Sequence, residues 1–313
     1  MKFKYSVLIS LFLSISACGG GGSGGGGGAG PSPSVSINSA NGAQVASVAG
    51  TADSISTGLN SITPLSVTQP SQSALNLTDF TRKLLHLGYN QGLQPLAVTT
   101  CSGGGSVTMP DPGSTSGTVT FSDCLESGFT INGSISFSIT GNANSTYTAT
   151  VNFNNLTLTD GVDSAAVNAA MSISGSLSGT VETITVTYSN FNVTFNADYI
   201  NIYDFHSTGT YDTSTLDYTI SWNYTFESSL INGVVNVATE SLIQGNDANP
   251  YPSRGSIVYT GANNTHVRVS TDAGGQPTDT VMIEIDADGN GVYEETNSMT
   301  WSDFEMLRSV TIF

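Results

Sequence analysis

The sequence predicts a mainly β protein: an antiparallel meander, curled, sandwich- or barrel-like, with one N-terminal covering helix and a short C-terminal helix. Three observations predict it. From Gly117 onward, apolar and small polar residues alternate with a period of two, as in sheets with one buried and one wet face. No proline falls between Gly113 and Asn249, so nothing over that span is barred from donating to a hydrogen-bond ladder. Charged residues make up only 10%, with Ser, Thr, Asn and Gly supplying the polar surface, which fits a folded chain rather than a disordered one.

The first element is an export signal. Lys2 and Lys4 form a positive start, Tyr5 to Ile15 is a short apolar run, and Ser16 and Ala17 are small. The run is too short to span a membrane as a helix. Ile15-Ser16-Ala17-Cys18 resembles the lipobox of bacterial lipoproteins. That resemblance implies residues 1–17 as signal peptide, cleavage ahead of Cys18, and diacylglycerol on its sulfur. Gly19, rather than Asp, resembles the pattern that sorts such proteins to the outer membrane. Gly19 to Gly30 is nearly pure glycine, a composition that cannot bury apolar surface and behaves as flexible coil. Polyglycine after a lipidated cysteine resembles the tethers of surface-displayed lipoproteins of Gram-negative bacteria. With the low-complexity stretch that follows, residues 18–75 read as a tether with an r.m.s. span of roughly 40 Å.

Removing Lys2 and Lys4 with the signal leaves five basic residues against 24 acidic ones, a net charge near −19, with Lys83 the only lysine. Such a chain is not built for nucleic acid or for docking on anionic headgroups, so membrane attachment falls to the lipid on Cys18.

The covering helix is predicted over Asn76–Leu87. Asn76 and Asp79 make a capping pair, Leu77, Phe80, Leu84 and Leu87 share a stripe, and Gly88 ends it. Cys101 and Cys124 are expected to form a disulfide across a glycine- and proline-rich loop in an oxidising envelope.

The strands follow. Ile131, Ile135, Phe137 and Ile139 alternate with Asn132, Ser134, Ser136 and Ser138, and similar runs begin at Tyr147, Val167 and Tyr218. Val151-Asn-Phe-Asn-Asn-Leu-Thr-Leu158 echoes Val186-Thr-Tyr-Ser-Asn-Phe-Asn-Val193, and in both the apolar parity flips at the central pair, as a β-bulge requires. Pro250 and Pro252 mark a junction between a domain at 76–249 and a C-terminal segment at 250–313, which ends in a helix capped by Ser302 with Glu305. With so little lysine, the sheet edges must be covered or curled away.

Two constellations are candidates for chemistry. Asp286-Ala-Asp288-Gly-Asn290-Gly291, with Glu294 at position 9, resembles the opening of a calcium loop of the EF-hand or dockerin kind. Position 12 is Asn297 rather than Glu, and the flanks read as strands, so a glycine-rich hairpin turn is the competing expectation. Tyr199, Tyr203 and Tyr211, among interleaved aspartates, are the candidate exposed platform for stacking on sugar rings; packing in the core is the alternative. His86, His206 and His266 share no metal spacing, and nothing singles out a nucleophile or a carboxylate pair.

The leading expectation is a lipid-anchored, non-catalytic outer-membrane β protein serving as a surface binding or adhesion module for a glycan or protein ligand. A periplasmic carrier of an apolar ligand and a carbohydrate-active enzyme are the alternatives. Phe313 resembles the terminal aromatic of membrane-spanning barrels, but Ser309 and Thr311 break the apolar alternation before it.

Overall fold

Alternation becomes sheet wherever it was read. The computed structural model describes residues 30–56 and 98–310, apart from 111–113, 127–128, 142–144, 160, 162–163, 196–197, 250 and 272–278. Lipidation at Cys18, the polyglycine tract and the helix predicted over Asn76–Leu87 lie outside the described residues.

Fourteen strands pair in sequence order into one antiparallel sheet. They are β1 (Val98–Thr100), β2 (Ser106–Thr108), β3 (Ser116–Glu126), β4 (Phe129–Gly141), β5 (Thr146–Thr159), β6 (Ser164–Ser178) and β7 (Val181–Phe195), then β8 (Asp198–Asp212), β9 (Asp217–Ser228), β10 (Gly233–Asn246), β11 (Arg254–Thr260), β12 (His266–Thr271), β13 (Thr280–Asp286) and β14 (Glu295–Thr300). β1 and β14 are the edges, and among the described residues no pairing joins them. The turns after β9, β11 and β13 lie at one end of the sheet, here the near end; those after β8, β10 and β12 lie at the far end.

One face is apolar and buried, the other carries Thr, Ser and Asn. On β5, Tyr147, Ala149, Val151 and Phe153 point inward while Thr146, Thr148 and Thr150 are exposed. On the outer face, Thr hydroxyls pair across strands, Thr185 with Thr208 at 3.2 Å and Thr210 with Thr219 at 2.8 Å. Inside, Tyr188, Phe205 and Tyr224 form a row across β7, β8 and β9, with ring centroids 4.4 and 5.5 Å apart.

A line of bulges crosses the sheet, and both predicted parity flips are among them. The β5–β6 register slips between Phe153 and Leu156, and Ser189-Asn190 of β7 faces the slip between Ala169 and Met171 of β6. Further shifts occur in β3, β4 and β8. Each bulge bends its strand and adds twist, so an aligned row curls the sheet about one crease. Neighbouring asparagines serve the backbone N–H groups that bulging leaves without ladder partners. Asn132 Oδ1 accepts from Asp123 N and Asn168 Oδ1 from Asn155 N, each at 2.8 Å. Gly133 holds φ +106°, and a Cβ there would lie 2.2 Å from the Asn155 carbonyl oxygen, so only glycine fits.

Residues expected to belong to the tether are instead part of the core. The segment from Gly30 to Ile37 is a strap. Gly30 N–H donates to Asp204 Oδ2 on the outer face, Ser34 N–H to the Val234 carbonyl at the near end, and Ile37 N–H to Thr265 Oγ1. The chain then enters helix α1 (Gly42–Ser56). Val35, Ile37, Val45 and Val48 are buried in the same apolar cluster as the strands. This helix covers the inner face; the one predicted over Asn76–Leu87 lies outside the described residues. The small residues of α1, Ala46, Ser47 and Ala49, are what allow close approach. Ser47 donates to the Phe304 carbonyl of helix α2 (Trp301–Val310), and Tyr224 O–H donates to the Ala49 carbonyl at 3.2 Å.

Two further expectations change. The Pro250–Pro252 junction is a turn within one sheet, because β10 pairs directly with β11 and the core is continuous across it. Helix α2 is capped by Thr300, two residues before Ser302. Asp303 N–H donates to Thr300 Oγ1 at 3.0 Å, and the Thr300 hydroxyl donates back to Asp303.

Candidate functional site

The Asp286 loop joins β13 to β14 at the near end, directly beneath the point where the strap enters. Asp286, Asp288 and Glu294 each bring a carboxylate oxygen within 4.8 Å of the others. Asp286 is fully buried, and its four acceptor sites are taken. Oδ1 accepts from the N–H groups of Gly289 and Asn290 at 2.8 and 3.2 Å; Oδ2 accepts from Gly291 N–H at 2.8 Å and faces His266 Nδ1 at 3.3 Å. Burial opposes its ionisation, but the bonds from Gly291, His266, Gly289 and Asn290 outweigh that and hold the carboxyl below the ordinary carboxylate range. Asn290 Nδ2 stands between the other two carboxylates, 3.0 Å from Asp288 Oδ2 and 3.4 Å from Glu294 Oε1. Asn290 thus turns its amide NH₂ toward these two carboxylates, while its Oδ1 accepts from Val292 N–H at 2.7 Å. Asn297, at position 12, lies on β14 opposite Ile283 and away from the loop. Gly289 and Gly291 take positive φ, as the turn requires. The residues suited to a cation are therefore together, and in this arrangement they cradle a turn.

The three tyrosines are not together. A bulge at Asp204, with φ +51°, flips the parity of β8. Tyr199 and Tyr203 lie on the outer face, while Tyr211, only 3% exposed, points inward. The outer pair converges on Glu227 of β9: Tyr203 O–H donates to Oε2 at 2.6 Å, Asn201 Nδ2 to Oε2 at 3.0 Å, and Tyr199 O–H to Oε1 at 3.3 Å. Burial, then the hydrogen bond and charge of Glu227, push the Tyr203 phenol well above its usual range. Burial followed by the charge of Glu227 also raises the Tyr199 phenol. The strap lies against this group, with the Cβ position of Gly30 only 3.0 Å from Tyr203 Cβ.

A third cluster escaped the sequence reading. Arg268 on β12 makes a two-pronged bond to Glu284 on β13, Nε to Oε2 at 2.7 Å and an Nη to Oε1 at 2.8 Å. Its other Nη faces Glu240 of β10 at 3.5 Å, and Tyr293 stacks on the guanidinium at 4.2 Å. The bond to Glu284 raises the Arg268 pKa further above its ordinary value. Arg268 and Glu284 sit at paired register positions, visible only once the register is known.

On the inner face, Glu182 of β7 is 7% exposed and accepts from the Tyr147 hydroxyl at 3.3 Å. The signal that could have found it was parity, since Glu182, Ile184, Val186 and Tyr188 alternate on one face. Cys101 and Cys124, both buried, form the expected disulfide with Cα atoms 5.4 Å apart, fastening the lead into β2 onto β3.

Among protein-family models, curated proteins and solved structures, none matches this chain.

Proposed function

We propose that this protein is a lipid-anchored, non-catalytic binding module of the cell envelope. The anchor part rests on Ile15-Ser16-Ala17-Cys18 and the charged start before it. The binding-module part rests on how the acidic clusters are used. Glu227, Glu240 with Glu284, and Asp286 are each matched by donors from neighbouring strands or their own loop, so they fasten the sheet together. What the sheet then presents across β4 to β7 is an outer face of Thr, Ser and Asn, suited to hydrogen bonding with glycan hydroxyls or a partner's backbone. The strap brings the chain out at Gly30 on that side, beside Tyr203 and Thr225. Twelve peptide units from Cys18 to Gly30 reach at most roughly 40 Å, so the tether is shorter than residues 18–75 would allow.

The test has two steps. Radiolabelled palmitate should enter the wild type and be lost in Cys18→Ala; equal labelling of both removes the anchor. Protease added to intact cells should then shave the protein while a periplasmic marker survives. Degradation only after the outer membrane is opened would remove the surface module in favour of a periplasmic carrier.

A further inference from the structure

β14 is an edge strand, paired only with β13. Trp301 N–H donates to the Asp279 carbonyl at 2.8 Å, one step beyond the Thr280–Thr300 pair and in the same register. Residues of an antiparallel strand turn both backbone groups to one side, and the side alternates along the chain. Asn297 and Met299, which share the parity of Trp301, therefore face β13. Thr296 and Ser298 turn their N–H and C=O groups to the open side. Both are exposed, and among the described residues no group bonds to those backbone atoms.

The usual guards of an edge are missing. β14 is six residues long, without lysine or proline, and its register on β13 is unbroken, whereas β1 at the other edge has three residues. Such an edge is a template for a further strand. Ser298 stands opposite Met282, a large apolar residue 38% exposed on the outer face. The serine is too short to cover it, which leaves Met282 open to an apolar side chain reaching in from beyond the edge.

Charge narrows the partner. Asp288 and Glu294 stand at the near end of β14, Asp279 and Asp303 at the far end, and all four are exposed. From Asp279 to Thr300 the chain has no lysine or arginine. Arg268, on β12, is already matched by Glu284 and Glu240. A second copy pairing antiparallel here would set the acids at the near end of one β14 against those at the far end of the other. Like charges so placed disfavour self-association, whereas a basic segment meets acids at both of its ends.

We propose that the open edge of β14 takes up an extended, basic segment of a partner protein as an added antiparallel strand. The Thr296 and Ser298 backbone groups pair with it, and the acids at either end hold its cationic side chains. The edge is separate from the anchor and from the outer face of β4 to β7, so its failure would leave both of those readings standing.

The experiment uses the full chain carrying Cys18→Ala, so that no lipid draws it into micelles. The probe is a nine-residue peptide of alternating threonine and valine with a lysine at each end. It should bind saturably at one per chain, more weakly as salt rises. Amide exchange of Thr296 and Ser298 should slow about tenfold at saturation, and that of Val98 to Thr100 should not change. The same peptide ending in glutamates should not bind. Peptides N-methylated on all valines or on all threonines should differ about tenfold in affinity, because only alternate residues turn their N–H toward β14. These comparisons leave the protein itself unaltered. Ser298→Pro removes one edge donor and no bond to β13, so it should weaken binding about tenfold with melting unchanged, and Ser298→Ala should not. Absence of saturable binding, equal binding of the glutamate peptide, equal affinity of the two methylated peptides, or protection at β1 instead of β14 would each overturn the proposal. A dimer whose β14 amides are protected without peptide would give the edge to a second copy and overturn it too.

Discussion

Replacing Asp286 tests how the near end is held. In Asp286→Ala, the backbone N–H groups of Gly289, Asn290 and Gly291 lose their acceptor together, and His266 loses its carboxylate. A buried donor left unsatisfied costs about 1–3 kcal/mol. The Asp286 side chain is buried, but the loop that wraps it is largely exposed. The freed N–H groups therefore regain water readily, and the lower end of the range applies to each of the three. The sum is about 3 kcal/mol, or a melting-point drop of roughly 6–12 °C for a domain of this size. Asp286→Asn keeps one acceptor oxygen and turns an NH₂ toward other donors, and should lose about half as much. Asp288→Ala, on the exposed side, should change stability by less than about 0.5 kcal/mol. Urea unfolding followed by tryptophan fluorescence measures all three. A value for Asp286→Ala within about 1 kcal/mol of wild type would refute the idea that this carboxylate anchors the loop. The pH dependence adds a check of sign. The folded-state pKa of Asp286 is lowered, so its contribution is complete above the unfolded carboxylate value of about 3.9 and is lost as pH falls through the lower folded value. Wild type should therefore lose stability relative to Asp286→Ala only below about pH 4.

Asn290 Nδ2 already bridges Asp288 and Glu294, so melting in millimolar calcium and in chelator should agree within about 1 °C; a rise of several degrees in calcium would mean that a cation displaces the amide. Gly133→Ala forces φ +106° on a residue with a Cβ and sets that atom 2.2 Å from a carbonyl oxygen, which should cost about 2 kcal/mol or more in a thermal melt; a neutral result would show that the crease is not fixed there. Breaking the Cys101–Cys124 bridge, with a sequence separation of 23, should lower stability by about 3 kcal/mol on the chain-entropy account, read from melts with and without reductant. Tyr218 is pushed up to about 12 by burial and the charge of Asp247, so its contribution is intact below about pH 10 and lost as pH rises toward 12; ultraviolet titration showing all tyrosines ionising near 10 would contradict this.

The sequence by itself determined the fold class, the sheet's two faces and the disulfide. These are legible because strand alternation is local: Tyr147, Ala149, Val151 and Phe153 declare their shared face whatever lies beside them. The parity flips at Asn154-Asn155 and Ser189-Asn190 were legible for the same reason, since a bulge must break a period of two. Glu182 shares the parity of Ile184, Val186 and Tyr188, a signal that would have placed it inside, although a carboxylate on an apolar face invites being read as an exception.

Only the tertiary structure decided the rest. Helix α1 escaped notice because Ala46, Ser47 and Ala49 carry little apolar signal; close packing under the sheet and against α2 is what makes their small size useful. The Asp204 bulge separated Tyr211 from Tyr199 and Tyr203, because one inserted residue reverses every side chain beyond it. Register brought Arg268 to Glu284 and Ser298 to Met282. Register is a property of two strands at once, and neither strand's sequence contains it.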